Sequence, residues 1–462
     1  MGPGWPLILA AAAAVTGDIT WHEHIQPLVA ARCTACHVNG GPAPFPLVSY
    51  DDVARRSAFV LAVVSSGRMP PWLPDESGPA LQHVNKLSSA QIETLSSWVA
   101  AGQPRGREQQ QPTPDDISGK TVPVTMLTMP EAWPVPSEGP RDMHTVVLPV
   151  GNEQSLFVRS VGWVSNQPRA VHGVTFLADG SGTARDFDAL TLGPGYDSMG
   201  DVGATPSGAF GAIGPGLPRF TLPFGYAFEV PPHAHIVAEV HSLPTGLGGP
   251  MLGEVHMGLS EVKDPALVLP LRLLDFEIDV PPGVTDHVLH DAWTLPCAVE
   301  LIGVLPQAGD VCRSLELFAV EQSTANTEPA TASYLLRIPT WDTHFRRPYL
   351  FEQPVPLHQG TTLGARWILD NSADNPANPS SPPRRVQLGS RATDELVGMV
   401  LWVAPLDPAD RPVLERFQLA SVRARIARRG QPRQTLPLPE TAQAHGSPAS
   451  EHPGIEGEKL NH

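Results

Sequence analysis

The chain of 462 residues is too long for one ordinary hydrophobic core and implies about three domains at the usual domain size. Its 52 prolines and 41 glycines exceed a fifth of the residues, so helices are confined to a few segments and strands joined by turns fill the rest. A formal charge of -16 excludes nucleic acid as a partner, because phosphate binding needs a basic face; a redox protein, or a small-molecule or peptide ligand, remains.

In chain order, residues 6–15 (Pro-Leu-Ile-Leu-Ala-Ala-Ala-Ala-Ala-Val) form an apolar stretch of signal-peptide length, followed by a small-residue cleavage site at Val15-Thr16-Gly17. Residues 1–17 are therefore expected to be a signal peptide, although no Lys or Arg precedes the stretch and the same residues would also suit the start of a buried helix. No later run reaches the roughly 18 apolar residues of a membrane span. The expectation is an exported, periplasmic protein with no membrane span.

Residues 18–105 read as a small all-α unit. Ile25, Leu28 and Val29 share a helix face, Val53 to Val64 is an Ala/Val-rich periodic segment, and Ser88-Ser89-Ala90-Gln91 opens a helix over 92–101 as a capping box does. Within this unit lies Cys33-Thr34-Ala35-Cys36-His37. Two thioethers at that spacing hold a porphyrin while the adjacent imidazole ligates its iron, so Cys33 and Cys36 predict a covalent haem c with His37 as axial ligand. A zinc half-site wants a second Cys/His pair and a redox dithiol wants a βαβ surround, and neither accompanies the motif. Further on, Ser66-Gly67-Arg68-Met69-Pro70-Pro71-Trp72 places a thioether in a stiff bend, with Trp72 available to pack on the porphyrin edge. The segment resembles the Gly-x-Met-Pro-Pro-Trp loop of small bacterial cytochromes c. It makes Met69 the expected sixth ligand, with His22, His24 and His83 as alternatives, and His/Met ligation suits an acceptor of single electrons.

Residues 106–120 have linker composition. Beyond them come short apolar segments bounded by turn residues, at 155–164, 170–177, 226–230, 235–242, 299–304, 314–320 and 396–403. They predict antiparallel sandwiches, over 121–262 and 263–426, and the composition from residue 427 to 462 predicts a disordered tail.

Over roughly residues 120 to 410, four segments in order carry a resemblance: Arg337-Ile338-Pro339-Thr340-Trp341-Asp342, Leu357-His358-Gln359-Gly360-Thr361, Asp370-Asn371-Ser372-Ala373-Asp374-Asn375-Pro376-Ala377-Asn378-Pro379, and Val386 to Glu395. The chain resembles bacterial relatives of the copper type II, ascorbate-dependent monooxygenases, the peptidylglycine hydroxylating kind, which often carry an N-terminal cytochrome c domain. The implied fold class is multidomain: a small all-α cytochrome c domain followed by two all-β jelly-roll sandwiches. That chemistry needs two mononuclear copper sites, one with three His and one with two His and a Met.

Carried onto this sequence, the first site keeps His172 and His241 and has Gly173 where the family has a His. The second keeps nothing: its Pro-His-x-His segment falls on Leu305 to Gly309, so Gln307 and Gly309 stand in for the two His, and Leu396 stands in for the Met. Such residues cannot replace imidazole and thioether as copper ligands, so copper is doubtful. Met399, three residues on, points to the other strand face. His233 and His235 would share a strand face, either as bare histidines or as metal ligands. No partner can be argued for His287, His290, His344 or His358. Cys297 and Cys312 bracket a hairpin or bulge, and an exported compartment would let them pair, or they are separate buried thiols.

The expected function is therefore haem-based electron transfer tethered to a degenerate monooxygenase-like region. The alternative is an active copper monooxygenase fed electrons by its own haem.

Overall fold

The computed structural model describes residues 18–108, 124–197, 209–321, 331–389, 391 and 393–427. The expectations for the signal peptide, most of the linker and the tail from residue 428 lie outside these residues.

Among the described residues, 18–100 carry most of the helices. A wide turn, Trp21–Ile25, runs into the helix Gln26–Arg32, with Pro27 in the first turn, where its missing N–H leaves no bond unmade. The periodic segment expected over 53–64 is two helices, Tyr50–Ala54 and Ser57–Ser65, broken at Arg55 and Arg56. Ser49 with Asp52, and Ser88 with Gln91, close capping boxes at the starts of Tyr50–Ala54 and Ser89–Ala100, each satisfying two orphan N–H groups. Trp21, Tyr50 and Trp98 meet in the core with ring centroids 5.9 to 6.2 Å apart, beside Ile25, Val53 and Leu95.

Among the described residues from Val124 onward, strands predominate. A six-stranded sheet contains Val124–Thr128, Gly253–Leu259, Leu156–Ser165, Tyr226–Val230 and Ala266–Leu267, with Arg219–Thr221 on a side branch. It faces a five-stranded sheet of Tyr196–Asp197, Asp142–Pro149, His235–Ser242, Val171–Asp179 and Ala209–Ile213. The second pair of sheets is four-stranded in each case: Leu269–Asp275, Val397–Pro405, Val299–Gln307 and Tyr349–Leu357, against His287–Thr294, Thr362–Leu369, Cys312–Glu321 and Thr331–Ile338. All the strands expected from alternation are present.

The two pairs share a wall. In Val397–Pro405, Met399, Leu401 and Val403 enter the second core, while Val400 and Trp402 enter the first, where Phe220 lies 4.6 Å from Trp402 between ring centroids. Burial on both faces explains why this strand reads as an unbroken apolar run. Two helices were not anticipated: Thr183–Leu190, and Arg411–Ala427, which lays Leu414 and Phe417 on the second core. Among the described residues, no helix is long and apolar enough to cross a membrane.

Candidate functional site: a Cys-Cys-His turn and a pocket between the sandwiches

Helix Gln26–Arg32 ends at Cys33, whose N–H still donates to Val29 O at 2.8 Å, and His37 N donates to Cys33 O at 2.9 Å. The tight turn keeps the two thiols and the imidazole together. His37 Nδ1 lies 2.8 Å from Phe45 O, and a carbonyl only accepts, so Nδ1 carries the proton and the Nε2 lone pair is left for a ligand. The Phe45 ring packs on the imidazole at 5.0 Å and Phe59 on Phe45 at 6.3 Å. Burial, then the neighbouring Cys36, pushes the Cys33 thiol up to about 11, and burial also raises Cys36, with Arg347 and Gly216 opposing. A redox dithiol works through a thiolate of lowered pKa, the reverse of this pair.

Several apolar side chains of the same unit stand exposed, among them Val38, Val48, Phe59 (57%), Met69 (36%) and Val84. Phe59 reaches the motif through Phe45, and Val84 through its carbonyl, which accepts from Arg32 Nη1 at 2.6 Å. Trp72 packs edge-to-face on Tyr349 at 5.5 Å. Of the alternative ligands, His22 Nδ1 lies 3.0 Å from Gln26 Oε1 and His24 Nδ1 accepts from Thr20 N at 3.3 Å, both within the first helical turns.

The second feature is a pocket of about 120 Å³ between the two sandwiches. His172, Gly173, His241, Gln307, Gly309 and Leu396, spread along the sequence, all line it. His241 sits opposite Gly173 on neighbouring strands, at a bulge that falls between His241 and Ser242. His241 Nε2 lies 2.7 Å from Arg346 Nη2, which can only donate, and 3.1 Å from Glu239 Oε1, which can only accept, so this nitrogen sits between a guanidinium and a carboxylate. Burial, then Arg346, holds His241 below its usual range. His172 Nε2 donates to Thr343 O at 3.2 Å, and burial lowers it to about 4 against that bond. Arg141, paired with Asp310 and bonded to Thr343 Oγ1 at 2.9 Å, completes the cationic wall.

These donors do not fit copper. His241 Nε2 is enclosed by the Arg346 guanidinium and the Glu239 carboxylate. A Cβ at Gly173 would meet Ile213 O at 3.0 Å, and one at Gly309 would meet Glu395 Oε1 at 2.7 Å. Glu395 is fully buried, accepts from Gly309 N and from Leu396 N (3.0 Å), and is raised by burial to about 7. Met399 faces the second core, as its position on the strand requires. Among the described residues, no three His, Cys, Asp or Glu side chains gather closely enough to hold a metal ion.

Two expectations need correction. His233 and His235 do not share a strand face: the strand begins at His235, while His233 stands in a left-handed turn at φ 55 after Pro231 and Pro232. Cys297 and Cys312 are buried free thiols rather than a disulfide. The nine-residue strand Val299–Gln307 runs between them at about 3.3 Å per residue, and Cys312 opens a strand of the other sheet of the pair. His344, for which sequence offered no partner, lies 6.0 Å from His172 between ring centroids and bonds Asp342 at 3.0 Å. His287 and His290 lie on the strand His287–Thr294 and His358 follows Tyr349–Leu357; none of them lines the pocket. Arg141, Arg346 and Arg347 were missed, because no local pattern marks a loop arginine as part of a site.

The chain matches no protein-family profile and no curated protein. Among solved structures it is similar to the major capsid protein P2 of bacteriophage PM2, with 9% identity, a TM-score of 0.27 and coverage of 62% of this chain and 98% of that one. It also overlaps the VP2 subviral particle protein of infectious bursal disease virus, with 8% identity, a TM-score of 0.10 and coverage of 67% and 89%. Overlap at that level carries no argument about fold or function.

Proposed function

We propose that the chain is an exported electron-transfer protein. In this reading a haem c is attached through Cys33 and Cys36, ligated by His37 and Met69, and tethered to two jelly-roll sandwiches of the copper type II monooxygenase kind that have lost their oxygen-activating copper. When bound, the haem supplies reversible one-electron chemistry. The observation that carries the reading is the His37 Nδ1 bond to Phe45 O, which fixes the tautomer and leaves the Nε2 lone pair for a ligand in the same turn as two thiols that burial keeps protonated. The exposed apolar side chains around the motif would exclude water from the porphyrin faces.

For the β region, support comes from the convergence of the six mapped positions on one pocket, together with the packing that closes it to metal. His172 and His241 then serve as hydrogen-bonding groups for a small-molecule or peptide ligand, and electrons pass to a redox protein partner. The rival, an active copper monooxygenase, would need His241 as a ligand, and its Nε2 is enclosed by Arg346 and Glu239.

Denaturation followed by acid-acetone extraction tests the proposal. The wild type is expected to keep its haem, and Cys33→Ala with Cys36→Ala to release it. Haem stripped from the wild type would refute covalent attachment.

A further inference from the structure

The motif turn does not face open solvent on its Cys36 side. A Cβ placed on Gly216, in the turn between Ala209–Ile213 and Arg219–Thr221, would lie 3.5 Å from Cys36 Sγ, and the Gly216 N–H donates toward that sulfur. Arg347 is the other neighbour of Cys36. Its residue is only 7% exposed, its Nε has no hydrogen-bond partner, and among the described residues no carboxylate pairs with it. The guanidinium instead lies 5.7 Å from the ring centroid of Trp72, in the loop that carries Met69. Residues after Trp72 then fasten onto two strands of the second pair of sheets: Asp75 pairs with Arg337 of Thr331–Ile338 at 2.8 Å, and Gln82 N donates to Leu350 O of Tyr349–Leu357 at 2.7 Å.

A buried cation without a counter-charge is costly, and its retention calls for an anion beside it. A haem with ionised propionates is one: its net charge is negative when ferric and more negative when ferrous. We infer that Arg347 seats the haem against the β region at Cys36 and, as the adjacent buried cation, raises the haem's reduction potential. This rests on the covalent-haem reading. Arg346, in extended backbone, directs its side chain to His241, while its neighbour Arg347 is turned to Cys36. The two arginines thus join haem seat and pocket through one peptide bond.

The test is a spectroelectrochemical titration of the full-length haem protein beside Arg347→Met and Arg347→Lys, with the exposed Arg55→Met as control. Met matches the buried volume without the charge, so folding should survive. The potential should fall in Arg347→Met, return most of the way in Arg347→Lys and stay put in Arg55→Met, with the sulfur-to-iron band intact throughout. An unchanged potential in Arg347→Met, with haem still attached, overturns the inference alone. A haem-stained denaturing gel separates the other failure: no covalent haem in the wild type overturns both this and the reading beneath it.

Discussion

Replacing Glu395 by Gln removes one titration and keeps the shape of the side chain. Glu395 Oε1 accepts from the N–H groups of Gly309 and Leu396, bonds an amide oxygen keeps, while Oε2 is buried without a partner. Burial raises the carboxyl from its ordinary 4.5 to about 7. Between those values the unfolded chain has released a proton that the folded chain retains, so folding stability falls as pH rises through the window and is fully present only below 4.5. At about 1.4 kcal/mol per pH unit of displacement, the loss amounts to about 3 kcal/mol by pH 7 to 8. The amide's unpartnered NH2 costs about 1–3 kcal/mol at every pH, so the comparison between pH values isolates the carboxyl. Urea unfolding followed by tryptophan fluorescence at pH 5 and pH 8 measures it, since Trp341 Nε1 donates to Gly309 O beside this group. The stability of the wild type relative to Glu395→Gln should drop by most of that amount from pH 5 to pH 8. An equal difference at both pH values would refute the buried-acid reasoning.

Met69→Ala should abolish the weak sulfur-to-iron absorption and lower the haem potential; an unaltered spectrum would move the sixth ligand to His22, His24 or His83. His172→Gln should flatten the acid limb of stability. As pH falls from 6.5 to about 4, the unfolded chain takes up a proton that folded His172 refuses, which costs the wild type roughly 3 kcal/mol. Equal acid limbs in urea titrations would count against it. Restoring the family residues by Gly173→His, Gln307→His, Gly309→His and Leu396→Met should leave copper below one per chain, because Glu395 and Ile213 O occupy the space and Arg346 holds His241. Retention near two coppers would contradict that packing.

What the sequence made legible was whatever repeats with a period or sits in a short motif. Tyr226–Val230 and His235–Ser242 match their expected bounds because apolar residues run between turn signals there. Ser88 and Gln91 form the capping box that their spacing announces. The break at Arg55 and Arg56 was hidden, since the helices on both sides continue one apolar pattern. The pocket was half visible: the histidines could be mapped by resemblance, but Arg346 reaches His241 across 105 positions of sequence, and nothing near either residue encodes that meeting. Arg347 at Cys36 and Glu395 beneath Gly309 are likewise products of tertiary packing. Cys297 and Cys312 misled because proximity in sequence is undone by the full strand between them.

The most direct test of the central claim is metal analysis of the mature, denatured and desalted protein for haem iron, set beside anaerobic copper loading and desalting of the native protein. One covalently held iron and less than one copper per chain is the predicted result. Two tightly held coppers with reductant-dependent oxygen consumption, or an iron content near zero, would contradict it.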